Sequence, residues 1–307
     1  MIIADTHCDA LWKMLHAPAP SFQDANLAVN ANTLKQGNVS IQHFALYTSV
    51  DEPKAVQRQN IMKQLDYFHQ HITTNPQIKW QPAQPLTVSN MYTNAILSLE
   101  GAGMFADQLS EWENLKKQGV QIASLTWNEK NDLAAGSGAS NSYGLTKAGE
   151  TVIDWQNNNG MITDLSHLNE QSFWDVIERA DRVIVSHANV KALYHHPRNI
   201  SDEQINSLKQ KNSFIGLTFY PPFINGTKSA AYTDLAKQID YLCSLGAEHM
   251  IGFGSDFDGI DYSLSGLNTP ADYPRLLEWL LRHFPEHVVK GVAGQNFQRY
   301  WKENSQA

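Results

Sequence analysis

The opening stretch MIIADTHCDA sets His7, Cys8 and Asp9, three metal-capable side chains, side by side after a short apolar run. Four more residues of the same chemistry close later apolar runs: Glu100, His167, His187 and Asp256. Imidazole and carboxylate donors together suit zinc, with manganese or iron as substitutes. Three histidines and two carboxylates are enough to hold two ions ~3.5–4 Å apart with one carboxylate shared. Such a pair activates water for hydrolysis without a serine or cysteine nucleophile. Cys8 is a strong zinc donor by type, but side chains alternate along an extended segment. His7 and Asp9 then face one way, and Cys8 packs behind them as a small buried hydrophobe.

Taken singly, each of these residues reads as a helix cap or a half-solvated strand end. Six of them at the same ends of successive strands would strand several buried charges, and a shared metal site removes that cost. Other features carry less. The pair His195-His196 in HHPRN reads as a solvated loop. The glycines of GFGSDFDG (252–259) lack the spacing and the following Lys-Ser/Thr of a phosphate loop. Asp258 within it reads as a turn residue.

The elements that must position these groups are legible as apolar, partly β-branched runs at 1–7, 41–48, 95–100, 121–127, 161–167, 183–187, 214–220 and 250–256. Their near-continuous hydrophobicity is that of parallel strands covered on both faces. Helical patterns lie between them. Ile61, Leu65, Phe68 and Ile72 mark one face of a helix over 54–73. SEWE (110–113) and SDEQ (201–204) fit the capping box. Thr269-Pro270 offers an N-cap and an N1 proline ahead of Leu276, Leu277, Trp279 and Leu280. Eight strands alternating with helices predict a single (β/α)8 TIM barrel over 1–307, with active-site groups at the C-terminal strand ends. An open doubly wound sheet is the competing layout. GSGAS (136–140) reads as a βα loop rather than a linker.

The bulk numbers narrow the class. A net charge of -8 argues against nucleic acid as a partner. No apolar run is long enough for a membrane span, and the first residues lack a basic secretory n-region. Two distant cysteines are not a disulfide scaffold. The expectation is a soluble, cytoplasmic protein, with a homodimer left open.

The ordered set DTHCD, LSLEGAG, LTWNEKNDLA, GLTKAGETVI, GMITDLSHLNE, VIVSHANV, HPRNISDEQI, IGFGSDFDGI and GQNFQRYW resembles the membrane dipeptidase (renal dipeptidase) family of zinc peptidases, along nearly the whole chain. The His-x-Asp pair separates this family from related hydrolases that begin His-x-His. The resemblance implies an amidohydrolase-like barrel binding two zinc ions and cleaving dipeptides. It implies that His7 and Asp9 hold one ion, His167 and His187 the other, and that Glu100 bridges them. Asp256 is then the proton shuttle, grouped with Glu100 as catalytic. Arg198 grips the substrate carboxylate, a task suited to a planar guanidinium, and Tyr220 contacts substrate. Where the mammalian branch has LTH, this chain has LTW. Trp127 replaces a substrate-binding histidine, and Asn128 beside it is a candidate oxyanion donor. Two other readings stand beside the dipeptidase: a hydrolase of lactones, cyclic amides or β-lactams, and a non-catalytic metal- or peptide-binding protein.

Overall fold

The computed structural model describes residues 1–82, 84–89 and 91–305. Among these residues nine parallel strands follow one another: β1 (Ala4–Asp5), β2 (Ile41–Leu46), β3 (Ile78–Lys79), β4 (Thr93–Leu99), β5 (Val120–Ser124), β6 (Ile162–Asp164), β7 (Val183–Ala188), β8 (Ile215–Leu217) and β9 (Ile251–Phe253). Their order is β2-β1-β9-β8-β7-β6-β5-β4-β3, and β2 also pairs with β4 from Ile41↔Asn94 to Leu46↔Leu99. That pairing closes eight strands into a TIM barrel and excludes the open sheet. The extra strand, β3, pairs with the foot of β4 at Ile78↔Thr93 and stays outside the ring. It lies in a stretch where the apolar pattern gives no strand signal.

Alternation along the strands sorts the barrel interior into levels. Ala4, Ile41, Ile96, Ile122, Ile162, Ile184 and Phe214 form an apolar floor, sealed by Phe297, Tyr300 and Trp301 of the helix Asn296–Asn304. On β4 the floor residue Ile96 shares its face with Ser98 and with Glu100 just beyond the strand, while Leu97 and Leu99 join the outer core against the helices. The period of two therefore puts grease at the bottom and a carboxylate at the top of one strand. His43 lies between these levels, fully buried, with its ring 4.9 Å from Phe297. Burial, reinforced by the charge of His7, pushes its pKa down to about 3, so it is a neutral core imidazole.

The helices follow their sequence signals unevenly. The stripe Ile61, Leu65, Phe68 and Ile72 is buried, but the α-helix ends at Tyr67 and a π-turn, Phe68–Ile72, carries the last two residues. Ser201 and Gln204 form a reciprocal capping box, with Ser201 N–H donating to Gln204 Oε1 at 2.8 Å. The box expected at Ser110 does not form. The helix starts at Leu109 with Gln108 as N-cap, which leaves Ser110 already inside the first turn. Pro270 opens a short 3-10 turn, Pro270–Asp272, and the α-helix Tyr273–Leu281 follows it.

Candidate active site

At the C-terminal rim the chain brings His7, Asp9, Glu100, His167 and His187, all buried, into one cluster with the partly exposed Asp256, in three overlapping groups able to hold a metal ion. His7 Nε2 lies 3.3 Å from Asp9 Oδ2, 3.6 Å from Glu100 Oε2 and 3.8 Å from Asp256 Oδ1. His167 Nε2 lies 2.6 Å from Glu100 Oε1 and 2.8 Å from His187 Nε2. Cys8 is absent from this cluster. Its thiol is fully buried and donates to the His43 carbonyl at 3.1 Å.

The strands stop short of the ligand-type residues more often than the apolar runs suggest. His7 stands beyond β1, His167 beyond β6 and Asp256 beyond β9, while His187 alone is within its strand. His167 and Asp256 have left-handed backbones, with φ of 69° and 67°, which end the ladder and turn each side chain inward. Non-glycine residues pay for that conformation, and such strain gathers where function fixes a side chain.

Each imidazole is oriented from behind. His187 Nδ1 donates to Ser186 Oγ at 2.9 Å, and Ser186 Oγ donates in turn to Asp164 Oδ2. His167 Nδ1 donates to Asn128 Oδ1 at 2.9 Å, an oxygen that also accepts from Ser137 Oγ. These partners place the ring protons on Nδ1 and leave both Nε2 atoms as bare lone pairs, facing each other and a Glu100 oxygen. Three acceptors without a proton between them repel unless a cation sits among them. His7 Nε2 and Asp9 Oδ1 add two further buried polar atoms without partners. This donor set fits a divalent metal of the imidazole–carboxylate class.

The electrostatics agree. Burial opposes a charged His7, but Asp9, Glu100 and Asp256 outweigh it and push the imidazole up to about 10. Burial, with Asp9 and Glu100 beside it and against the charges of His7 and Arg198, pushes Asp256 up to about 7. Burial, helped by the charges of Arg198 and His7, holds His167 and His187 well below the ordinary imidazole range. The pocket therefore draws positive charge while two of its imidazoles stay neutral.

A cleft of about 680 Å³ opens above the cluster. Arg198, Tyr220, Trp127 and Asn128 all line it. Arg198 is buried, donates through Nη2 to the His187 carbonyl at 3.1 Å and keeps Nε unpartnered. Asn128 has its side-chain oxygen committed to His167, a contact the sequence did not suggest. His196 also differs from the solvated-loop reading. It is half-buried in the cleft wall, and its Nδ1 accepts from Arg198 N–H at 3.1 Å, while His195 is exposed. Asp258 points away from the cleft and accepts from Ala28 N–H at 2.7 Å and Val29 N–H at 2.9 Å. Gly259 is required by the site, because a Cβ there would come within 2.1 Å of Asp9 Oδ2.

Sequence reasoning missed the groups behind the ligands: Asp5, Asp164, Ser186, Ser255 and Tyr273. Asp5 accepts from Ser255 N–H at 2.8 Å, Ser255 Oγ at 2.6 Å, Tyr273 Oη at 2.9 Å and His7 N–H at 3.3 Å. Asp164 accepts from Ser166 N–H at 3.0 Å and Ser186 N–H at 3.1 Å as well as from the Ser186 hydroxyl. An acidic residue two or three positions ahead of a strand-end histidine, as in DTH and DLSH, was the available signal.

Barrel and cluster together define a TIM barrel with a candidate metal centre at its C-terminal rim. The family model described as membrane dipeptidase (Peptidase family M19) matches residues 1–307. A dipeptidase of Aspergillus oryzae, aclJ, is 30% identical over 286 residues, 87% of this chain and 67% of its own length. An uncharacterized dipeptidase of Schizosaccharomyces pombe is 30% identical over 217 residues, 69% of this chain and 53% of its own length. The solved dipeptidase AC superposes with a TM-score of 0.90 at 21% identity, covering 100% of this chain and 99% of that one. A Rhodobacter sphaeroides metallopeptidase, liganded with a phosphinate mimic of L-Ala-D-Ala, gives 0.89 at 20% identity with 99% of each chain covered. At those identities the structures bear on the fold. The chain belongs to the membrane dipeptidase family, peptidase family M19, and is a metallo-dipeptidase, a peptide hydrolase. Among the described residues no helix is long and apolar enough to cross a membrane.

Proposed function

We propose that the chain cleaves free dipeptides with two divalent ions, zinc by donor type and manganese or iron as substitutes. His7 and Asp9 would hold one ion, His167 and His187 the other, and Glu100 would lie between them. Bound there, the ions would supply Lewis acidity, acidifying a water and polarising the scissile carbonyl. The observation that carries this reading is the meeting of the His167 Nε2, His187 Nε2 and Glu100 Oε1 lone pairs, 2.6–3.6 Å apart.

The remaining work falls to the chain. Asp256, raised to about 7, carries or releases a proton near neutrality and can pass it from the attacking water to the leaving amine. The unpartnered Nε of Arg198 supports its role as reader of the substrate carboxylate. Only a dipeptide brings a carboxylate to Arg198 and a free amine to the acidic end of the cleft at once, so a site that reads both termini favours dipeptides. Tyr220 and Trp127 wall the cleft. The test joins metal analysis of the purified protein to turnover of L-L and L-D dipeptides, tripeptides and amidated dipeptides. Two metal equivalents with turnover confined to free dipeptides is the expected result. Equal turnover of amidated substrates removes the role of Arg198, and bound metal without amide hydrolysis removes the dipeptidase.

A further inference from the structure

The cleft has two chemically different sides, and the ring of strands fixes their positions. Going round through β1, β2, β4, β5, β6, β7, β8 and β9, β2 stands opposite β7, and β5 opposite β9. Arg198 lies in the connection after β7 and Tyr47 directly follows β2, so the two come from opposite sides of the ring and both line the cleft. Trp127 follows β5 and stands across from Asp256. Trp12, on the helix Ala10–Leu15, completes the Tyr47 side.

These three rings make one continuous wall. Trp12 meets Tyr47 edge-on with centroids 5.2 Å apart at 77°, and Tyr47 lies 5.6 Å from Trp127 at 52°. Trp127 leans over the His167 imidazole at 6.0 Å and 32°. All three are half-buried and line the cleft, so each keeps a surface open toward a ligand. Burial, with Glu100 and Asp9 nearby, raises the Tyr47 phenol above its ordinary range, so the wall carries no charge of its own.

We propose that Trp12, Tyr47 and Trp127 form a side-chain subsite that selects dipeptides whose amino-terminal residue is aromatic or large and apolar. The proposal rests on the dipeptidase reading and adds the class of substrate. With its carboxylate on Arg198 and its peptide bond over Glu100, His167 and His187, a dipeptide extends its first residue toward the opposite wall. Rings spaced 5–6 Å apart and steeply tilted accept a further ring in offset or edge-on packing. A small side chain leaves that surface wet and gains nothing from it.

The test compares kcat/KM of the metal-loaded full chain for Phe-Gly, Leu-Gly, Lys-Gly and Ala-Gly. Phe-Gly and Leu-Gly are expected to exceed Ala-Gly by about tenfold or more, the discrimination an apolar pocket yields for a large side chain. Trp127→Ala and Tyr47→Ala should each cut the Phe-Gly to Ala-Gly ratio by about tenfold, and Trp127→Phe should keep it. The ratio is read within each variant, so a general loss of active protein does not imitate the effect. Equal values across the four substrates in the wild type overturn the subsite and leave the dipeptidase intact. A preference for Lys-Gly over Phe-Gly overturns it in favour of cation recognition. Metal-loaded protein that hydrolyses no dipeptide overturns the dipeptidase reading and the subsite with it.

Discussion

The two halves of the candidate centre are braced by the same device put to different uses. Behind His7 and Asp256, the Asp5 carboxylate joins β1 to β9 through both donors of Ser255 and is tied to the outer helices by the Tyr273 hydroxyl. Behind His167 and His187, Asp164 joins β6 to β7 through both donors of Ser186. Ser255 grips backbone, its hydroxyl also donating toward the His7 carbonyl at 3.1 Å. Ser186 grips an imidazole, accepting from His187 Nδ1 and meeting Ser166 Oγ at 3.1 Å. The first clamp thus fixes where a ligand-type residue sits, and the second fixes which of its nitrogens is free. A buried carboxylate with hydroxyl partners can serve chain geometry or proton placement, and the choice depends on one contact.

Glu100 spans both halves, so Glu100→Gln should break the comparison outright. Bound metal should fall below two equivalents and kcat by roughly 10³ or more, several kcal/mol of lost charge stabilisation, checked by metal analysis and steady-state rates. Asp256→Asn should keep the metal and lose about 10²–10⁴ in kcat, because only the proton path is removed. Retained metal with near wild-type turnover would cancel its assignment. Ser186→Ala frees His187 Nδ1 and should weaken metal affinity or activity by about 10–100-fold, read by competition with a chelating indicator. Tyr273→Phe sits in the other clamp and should do the reverse. It should cost about 1–3 kcal/mol in urea unfolding, since a buried carboxylate loses a donor, with metal affinity unchanged. If Ser186→Ala lowers stability alone, or Tyr273→Phe lowers metal affinity, the two clamps do not differ in the way their contacts indicate.

The parts of this molecule legible in its sequence are those whose signal is local. The apolar runs announce eight strands because parallel strands are buried on both faces, and Ser201 with Gln204 announces a helix start because its hydrogen bonds close within four residues. The six ligand-type residues stand out because charged and imidazole groups directly after such runs are costly to bury unless a metal or a partner holds them. The clamps were legible only as an acidic residue ahead of a histidine, in DTH and DLSH, and their partners were not. Asp5 finds Ser255 and Tyr273 across 250 and 268 residues, and serine and aspartate beside a strand otherwise read as ordinary polar ends. The aromatic wall was half visible. Trp127 stood out against LTH, but Trp12 and Tyr47 join it only through the order of strands around the ring. The half-burial of His196 was not legible because its ring packs on Phe223, a contact 27 residues away that the HHPRN stretch does not announce.

The floor of the barrel has a bearing on how the chain reaches this state. Phe297, Tyr300 and Trp301 seal the interior from the far end of the sequence, and β1 lies between β2 and β9, pairing Asp5 with Phe253. The strand that leads into His7 is therefore fully enclosed only once β9, some 250 residues further along the chain, is in place. Ring closure waits for contacts some 250 residues apart, the kind that slow folding and favour populated intermediates. During that interval the segment carrying His7 and Asp9 has one neighbouring strand in place of two. Holding the newborn chain in a ring-open form would thus delay metal uptake as well as folding, so the two should mature with a single time course.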